Sequence, residues 1–190
     1  LSPADICRLM KVSQQFRWAV KDALPRIFNI HSKLRIFFDN PLAFRVLQSN
    51  TGAIISGSFA LQFFRRCYYQ SGDLDVFVPK ASKNVVGEWL LSNGYRYSPR
   101  PPPVNYQEAI ENVMREDISD YQYVPGVLAV LDFVRQKSGM DRKVQLIVVE
   151  ETSMSTILNF HSTCVLNVIT YNTAYCLYPK ATLSININLL

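Results

Sequence analysis

Ile54-Ile55-Ser56-Gly57-Ser58, then fourteen residues, then Asp73-Leu74-Asp75-Val76: the fold of this chain is decided by how that stretch is read. Ala53-Ile54-Ile55 is a short apolar run broken by Ser56-Gly57-Ser58, as at the end of a buried strand. Beyond the break, Phe59 and Phe63, and Ala60, Phe64 and Cys67, fall at helical spacing, with Arg65 and Arg66 extending the polar side. Asp73 to Val78 alternates instead, with Asp73, Asp75 and Phe77 on one face and Leu74, Val76 and Val78 on the other, and Pro79 closes the run. The spacing predicts strand, turn, helix, strand.

Two carboxylates one residue apart on a strand project from the same face, close enough to share a divalent cation. Phosphoryl chemistry uses that arrangement, because Mg²⁺ takes hard oxygen ligands and offsets the charge of a triphosphate. A Gly-Ser turn that opens a helix complements it, since glycine lets backbone approach a phosphate and the serine hydroxyl and first amides donate to it. Each motif is common alone; their order on strand–turn–helix–strand is the stronger signal. Both have plainer readings. Asp73 and Asp75 also suit a solvated strand end after Ser71-Gly72, and Ser58 an ordinary helix cap. Arg65 and Arg66 suit either phosphate contacts or a solvent-facing pair, and Lys80 the same.

Outward from this centre, residues 1–50 read as a basic helical segment and 51–190 as an α/β core, the two forming one compact unit. Helical patterns run from Gln14 to Leu24, ended by Pro25, from Ser32 to Phe38, and from Pro41 to Gln48, where Asp39-Asn40-Pro41 marks a stop and a new start. After the aspartate strand, residues 82–92 form a helix burying Val85, Val86, Trp89 and Leu90, closed by Asn93-Gly94. Arg100-Pro101-Pro102-Pro103 is a loop, and Tyr106 to Arg115 a short helix. Val127 to Val134 and Lys143 to Val149 pair antiparallel about Ser138-Gly139. Ser155 to Asn159 is a brief helix, Thr163 to Ile169 a buried strand or helix, and Leu183 to Leu190 apolar and β-like. This order gives a mixed α/β fold with a central mixed sheet flanked by helices.

The chain has 190 residues, 48% hydrophobic and 18% charged, which suits a packed core rather than disorder. No apolar run is long enough for a membrane helix, and Asp5, Arg8 and Lys11 make the start unlike a signal peptide. Cys7, Cys67, Cys164 and Cys176 show no metal-ligand spacing and read as reduced thiols of an intracellular protein. The net charge of +5 lies in residues 1–50, which hold eight Lys/Arg against three Asp/Glu. That excess suits RNA or another polyanion, or simply the solvated faces of amphipathic helices. His31 and His161 read as structural residues, and Tyr95, Tyr97 and Tyr106 as a packed loop sooner than a base-stacking platform. No nucleophile elbow, P-loop or dinucleotide fingerprint occurs.

The quoted motif resembles the signature of the nucleotidyltransferase superfamily, the polymerase-beta-like fold. Together with Lys143-Val144-Gln145-Leu146-Ile147 and the stretch from Phe160 to Asn167, it resembles an uncharacterised fungal group of such proteins over roughly residues 30–182. The resemblance implies Mg²⁺ (or Mn²⁺) and NTP binding, and transfer of a nucleotidyl group to an acceptor. Carried over by position, Gly57 and Ser58 hold the triphosphate, and Asp73 and Asp75 hold the metal and serve catalysis; Arg65 would join the nucleotide contacts. Active members carry a third carboxylate on a later strand. Here Gln145 matches it, while Asp141, Glu150 and Glu151 flank that strand. A neutral amide orients a water or sugar but supplies neither charge nor base. A nucleotide- or RNA-binding module without turnover is therefore the alternative expectation.

Overall fold

The computed structural model describes residues 2–67, 72–113, 124–160, 162–163 and 165–185. In chain order these form α1 (Pro3–Leu9), α2 (Gln14–Ile27), α3 (Ile30–Leu34), α4 (Pro41–Thr51), β1 (Ile54–Ser56), α5 (Gly57–Arg65) and β2 (Leu74–Pro79). There follow α6 (Lys83–Ser92), β3 (Arg96–Ser98), α7 (Tyr106–Asn112), β4 (Val127–Lys137), β5 (Met140–Val149), α8 (Ser153–Leu158), β6 (Asn167–Ile169) and β7 (Ala174–Cys176). A π-helical turn spans Lys180–Ile185. His161, Cys164 and residues 186–190 lie outside the described residues, as does the end of the helix expected to reach Arg115.

The strands form one seven-stranded mixed sheet in the order β3-β4-β5-β2-β1-β6-β7. β1 runs antiparallel to β2, and β2 runs parallel to β5. The alternation in β2 sorts its residues between two cores. Leu74, Val76 and Val78 join the large core, with Phe38 and Phe44 from the N-terminal third, Phe59, Ala60 and Phe63 of α5, and Leu90 of α6. Phe77 joins a smaller core on the other face, with Ile54, Val130, Ile147 and Ile157 of α8. Residues 34–47 thus pack into the same core as the sheet.

Several expectations need correcting. α2 continues through Pro25 to Ile27, so the proline sits inside the helix and removes the hydrogen bond that residue 25 would donate to the carbonyl of Lys21. None of its residues is buried, and Phe16 and Trp18 are exposed. On α6, Val86 and Leu90 form the buried stripe and Trp89 packs on Phe38 and Phe44, so Val85 faces solvent. The tail read as β-like enters a helical turn as far as Ile185. α1 was not foreseen, although Ser2 and Asp5 make a complete capping box. Among the described residues, no helix is long and apolar enough to cross a membrane. Cys7, Cys67 and Cys176 are free thiols.

Candidate functional site

Two positions along their strands from Ile54, Phe77, Ile147 and Val130 of the smaller core stand Ser56, Asp75, Gln145 and Asp132. The sheet register sets these in a row. Ser56 pairs with Asp75, Asp75 with Gln145, Gln145 with Asp132, and Asp132 with Ser98. Gln145 therefore sits beside Asp75, and Asp132 lies one strand further along the same face. All three are half-buried.

Gly57 makes the turn from β1 into α5 with φ +66°, and a Cβ at that position would stand 1.9 Å from Asp75 Oδ2. The glycine is required twice, for its backbone angle and because the carboxylate fills the space a side chain would take. The Ser58 backbone N–H donates to that carboxylate. Ser58 is the second residue of α5 and exposed, and the N-cap position belongs to Ser56, whose side chain makes no capping hydrogen bond. Ser56 instead spends its hydroxyl on the carbonyls of Val165 and Asn167, at 2.8 and 2.9 Å, and so ties β1 to the approach to β6.

Asp75 and Asp132 are in opposite electrostatic conditions. Burial, and then the charge of Asp73, push the Asp75 carboxyl up to about 7, against smaller opposing effects of Lys143 and the Ser58 amide. Burial also raises Asp132, but hydrogen bonds from Arg100 and Gln145 outweigh it and leave that carboxyl below its ordinary value. Arg100 grips Asp132 with Nε and Nη2 at 2.8 and 3.0 Å, and Gln145 Nε2 donates to Oδ1 at 2.9 Å. Lys143 shares the face with Gln145, two residues away, and its Nζ lies 2.8 Å from Asp73 Oδ2. Burial would lower that lysine; the bond to Asp73 and the charge of Asp132 raise it instead.

The structure thus brings together Gly57, Ser58, Asp73 and Asp75. Arg65 is not with them. It lies in the last turn of α5, about 12 Å along the helix axis from Gly57 at 1.5 Å per residue. The third acid sought near the aspartates is not among Asp141, Glu150 and Glu151, and Gln145 holds the adjoining position. Among the described residues, no three His, Cys, Asp or Glu side chains are grouped to hold a metal ion. Asp73 and Asp75 alone suit one as a pair: two neighbouring carboxylates whose mutual repulsion a cation would relieve.

Sequence reading missed Asp132, Lys143 and Arg100. Alternation along β5 puts Lys143 on the face of Gln145, so that signal was present. Three of the eight N-terminal cations are ion-paired or buried within the fold. Arg8 pairs with Asp5, Arg26 with Asp22, and Arg45 is buried. Tyr95 donates from its hydroxyl to Phe37 O, while Tyr97 and Tyr106 pack on Phe133, so this loop is packed as expected. Comparison with protein-family models, curated proteins and solved structures finds no match to this chain.

Proposed function

We propose that this chain is a nucleotidyltransferase-type domain that binds a nucleoside triphosphate with Mg²⁺ (or Mn²⁺), and that binding, more than turnover, is its retained capacity. The carrying observation is that Asp75 fits under the Gly57 turn against the Ser58 amide of α5, with Asp73 beside it. Asp73 and Asp75 would hold the metal, which when bound would neutralise triphosphate charge. The Ser58 hydroxyl and the N-terminal amides of α5 other than that of Ser58 would donate to phosphate oxygens. Lys143 adds a cation on the same face. Gln145, committed to Asp132 through its amide N–H, offers its carbonyl oxygen to a ribose hydroxyl or a water, and it cannot serve as a base.

A second reading, transfer of NMP to an acceptor, is favoured by Asp132 alone. That residue gives the row a further carboxylate, one strand beyond the Gln145 position. Its pairing with Arg100 and its lowered pKa make it a settled charge and a poor base.

Thermal unfolding with each NTP and Mg²⁺ or Mn²⁺ tests the proposal. A rise of several degrees in Tm is expected in the parent protein and its loss in Asp73→Ala/Asp75→Ala. No shift with any nucleotide would overturn both readings. Labelled NMP appearing in an RNA, protein or small acceptor, abolished by Asp132→Asn with NTP binding intact, would replace the binding reading with the transfer reading.

A further inference from the structure

Arg45 of α4 is 7% exposed, yet no carboxylate among the described residues pairs with it. Its Nη1 donates to Gln48 Oε1 at 2.6 Å. Gln48 is fixed in turn, since its Nε2 donates to the carbonyls of Ala53 and Ile169 at 3.1 and 3.2 Å. The guanidinium is therefore held in one place by a buried amide that supplies no charge. Burial pulls it down to about 10, and no anion among the described residues acts against that effect. Ion-pair logic makes such a group costly unless something negative meets it.

Arg45 lines a cavity of about 550 Å³ whose other walls include Phe28, Ile30, Phe63, Phe64 and Ile169. That volume is in the range of small-molecule sites, and among the described residues the open, mainly apolar lining has Arg45 as its one charged group, with Asn172 and Thr173 as further polar residues. None of the lining residues belongs to the Gly57–Asp75 constellation.

We propose that this cavity binds a small molecule with an apolar body and one carboxylate, the carboxylate pairing with the Arg45 guanidinium. The planar guanidinium has five N–H donors and matches a carboxylate in bidentate fashion, so the head group is specified by charge and shape. The aromatic and aliphatic walls take the body. The site is independent of the nucleotide reading and stands or falls without it.

Decanoate, used below its micelle-forming concentration and compared with decanol, provides the test by calorimetric titration of the full chain. Decanoate is expected to bind at least tenfold more tightly than decanol, with one site per chain. Arg45→Met, which keeps the bulk and removes the charge, should lose that preference while still binding decanol. Ala174→Phe keeps the arginine and fills the cavity from β7, and it should weaken both ligands at least tenfold. Equal affinity for acid and alcohol, or decanoate binding to Arg45→Met within twofold of the parent, would overturn the proposal. So would a concentration-dependent dimer that buries Arg45 and excludes decanoate. A failure to bind NTP leaves this result untouched, because decanoate is read in nucleotide-free protein.

Discussion

Asp75 and Asp132 stand on one face of one sheet, separated by a single strand, and their charges are settled in opposite ways. Asp132 has a two-pronged arginine and an amide; its carboxylate is satisfied and holds the Arg100 loop against β4. Among the described residues, Asp75 has one backbone amide, a like charge beside it and no cation paired directly with it. The contrast teaches that a carboxylate in a charged cluster is not by that fact a ligand. The one left short of partners is where a cation gains most, and the one fully engaged is a structural post.

The largest way to break this comparison is through the turn that crowds Asp75. Gly57→Ala would put a methyl into the Asp75 carboxylate at a left-handed backbone angle, and a loss of about 3 kcal/mol or more is expected by urea unfolding. Adding Asp75→Ala removes the clash and leaves the backbone strain. The double variant should therefore recover more than about 1 kcal/mol over Gly57→Ala. No recovery would mean that strain alone sets the cost and that the carboxylate does not occupy the turn.

Removing each charge separates the two aspartates by sign. Asp75 is raised in the folded state, so the native protein holds its proton up to about pH 7 while the unfolded chain releases it near the usual carboxylate value. Stability from this group is thus lost as pH rises from about 4 to about 7, on the order of 2–4 kcal/mol. Asp75→Asn should flatten that slope and stabilise the metal-free protein at pH 8, with no gain at pH 4. Asp132 is lowered, so its contribution is present at neutral pH and fades on acidification. Asp132→Asn should destabilise at pH 7 by about 1–2 kcal/mol. The same sign in both variants would erase the distinction drawn here.

Much of the motif half was legible, because its signals are local. A three-residue apolar run, a glycine break, helical spacing and a strict alternation each sit within a few residues, and β1, α5 and β2 follow them closely. The other half depends on pairing. Ser138 and Gly139, both at positive φ, make a two-residue hairpin turn, and counting outward from it sets Asp132 opposite Gln145. That step was available in the sequence. Placing β5 parallel to β2, so that Gln145 meets Asp75, depends on contacts between distant segments that no single window carries. β3 and β7 have three residues each, too few for alternation to register. Arg45 was hidden for a related reason. Helical spacing cannot tell a solvent-facing arginine from one covered by segments arriving later in the chain.

Lys143 gives the smallest expected effect on stability and the sharpest reading of the site. Its pair with Asp73 is one-third exposed on both sides, so Lys143→Met should change folding by less than about 1 kcal/mol. The consequence for ligands divides two roles that the geometry gives it. If the lysine competes with a cation for Asp73, the variant should show a larger Mg²⁺-induced rise in Tm than the parent, even without nucleotide. If it serves the phosphates, the Mg²⁺ response should be unchanged and the NTP response reduced severalfold, since a cation on the Gln145 face would have been removed from a polyanion. A gain with metal would make the pair with Asp73 the resting state of a cation site. A loss with nucleotide would extend the Asp75 half of the face across to β5, leaving only Asp132 and Arg100 as scaffold.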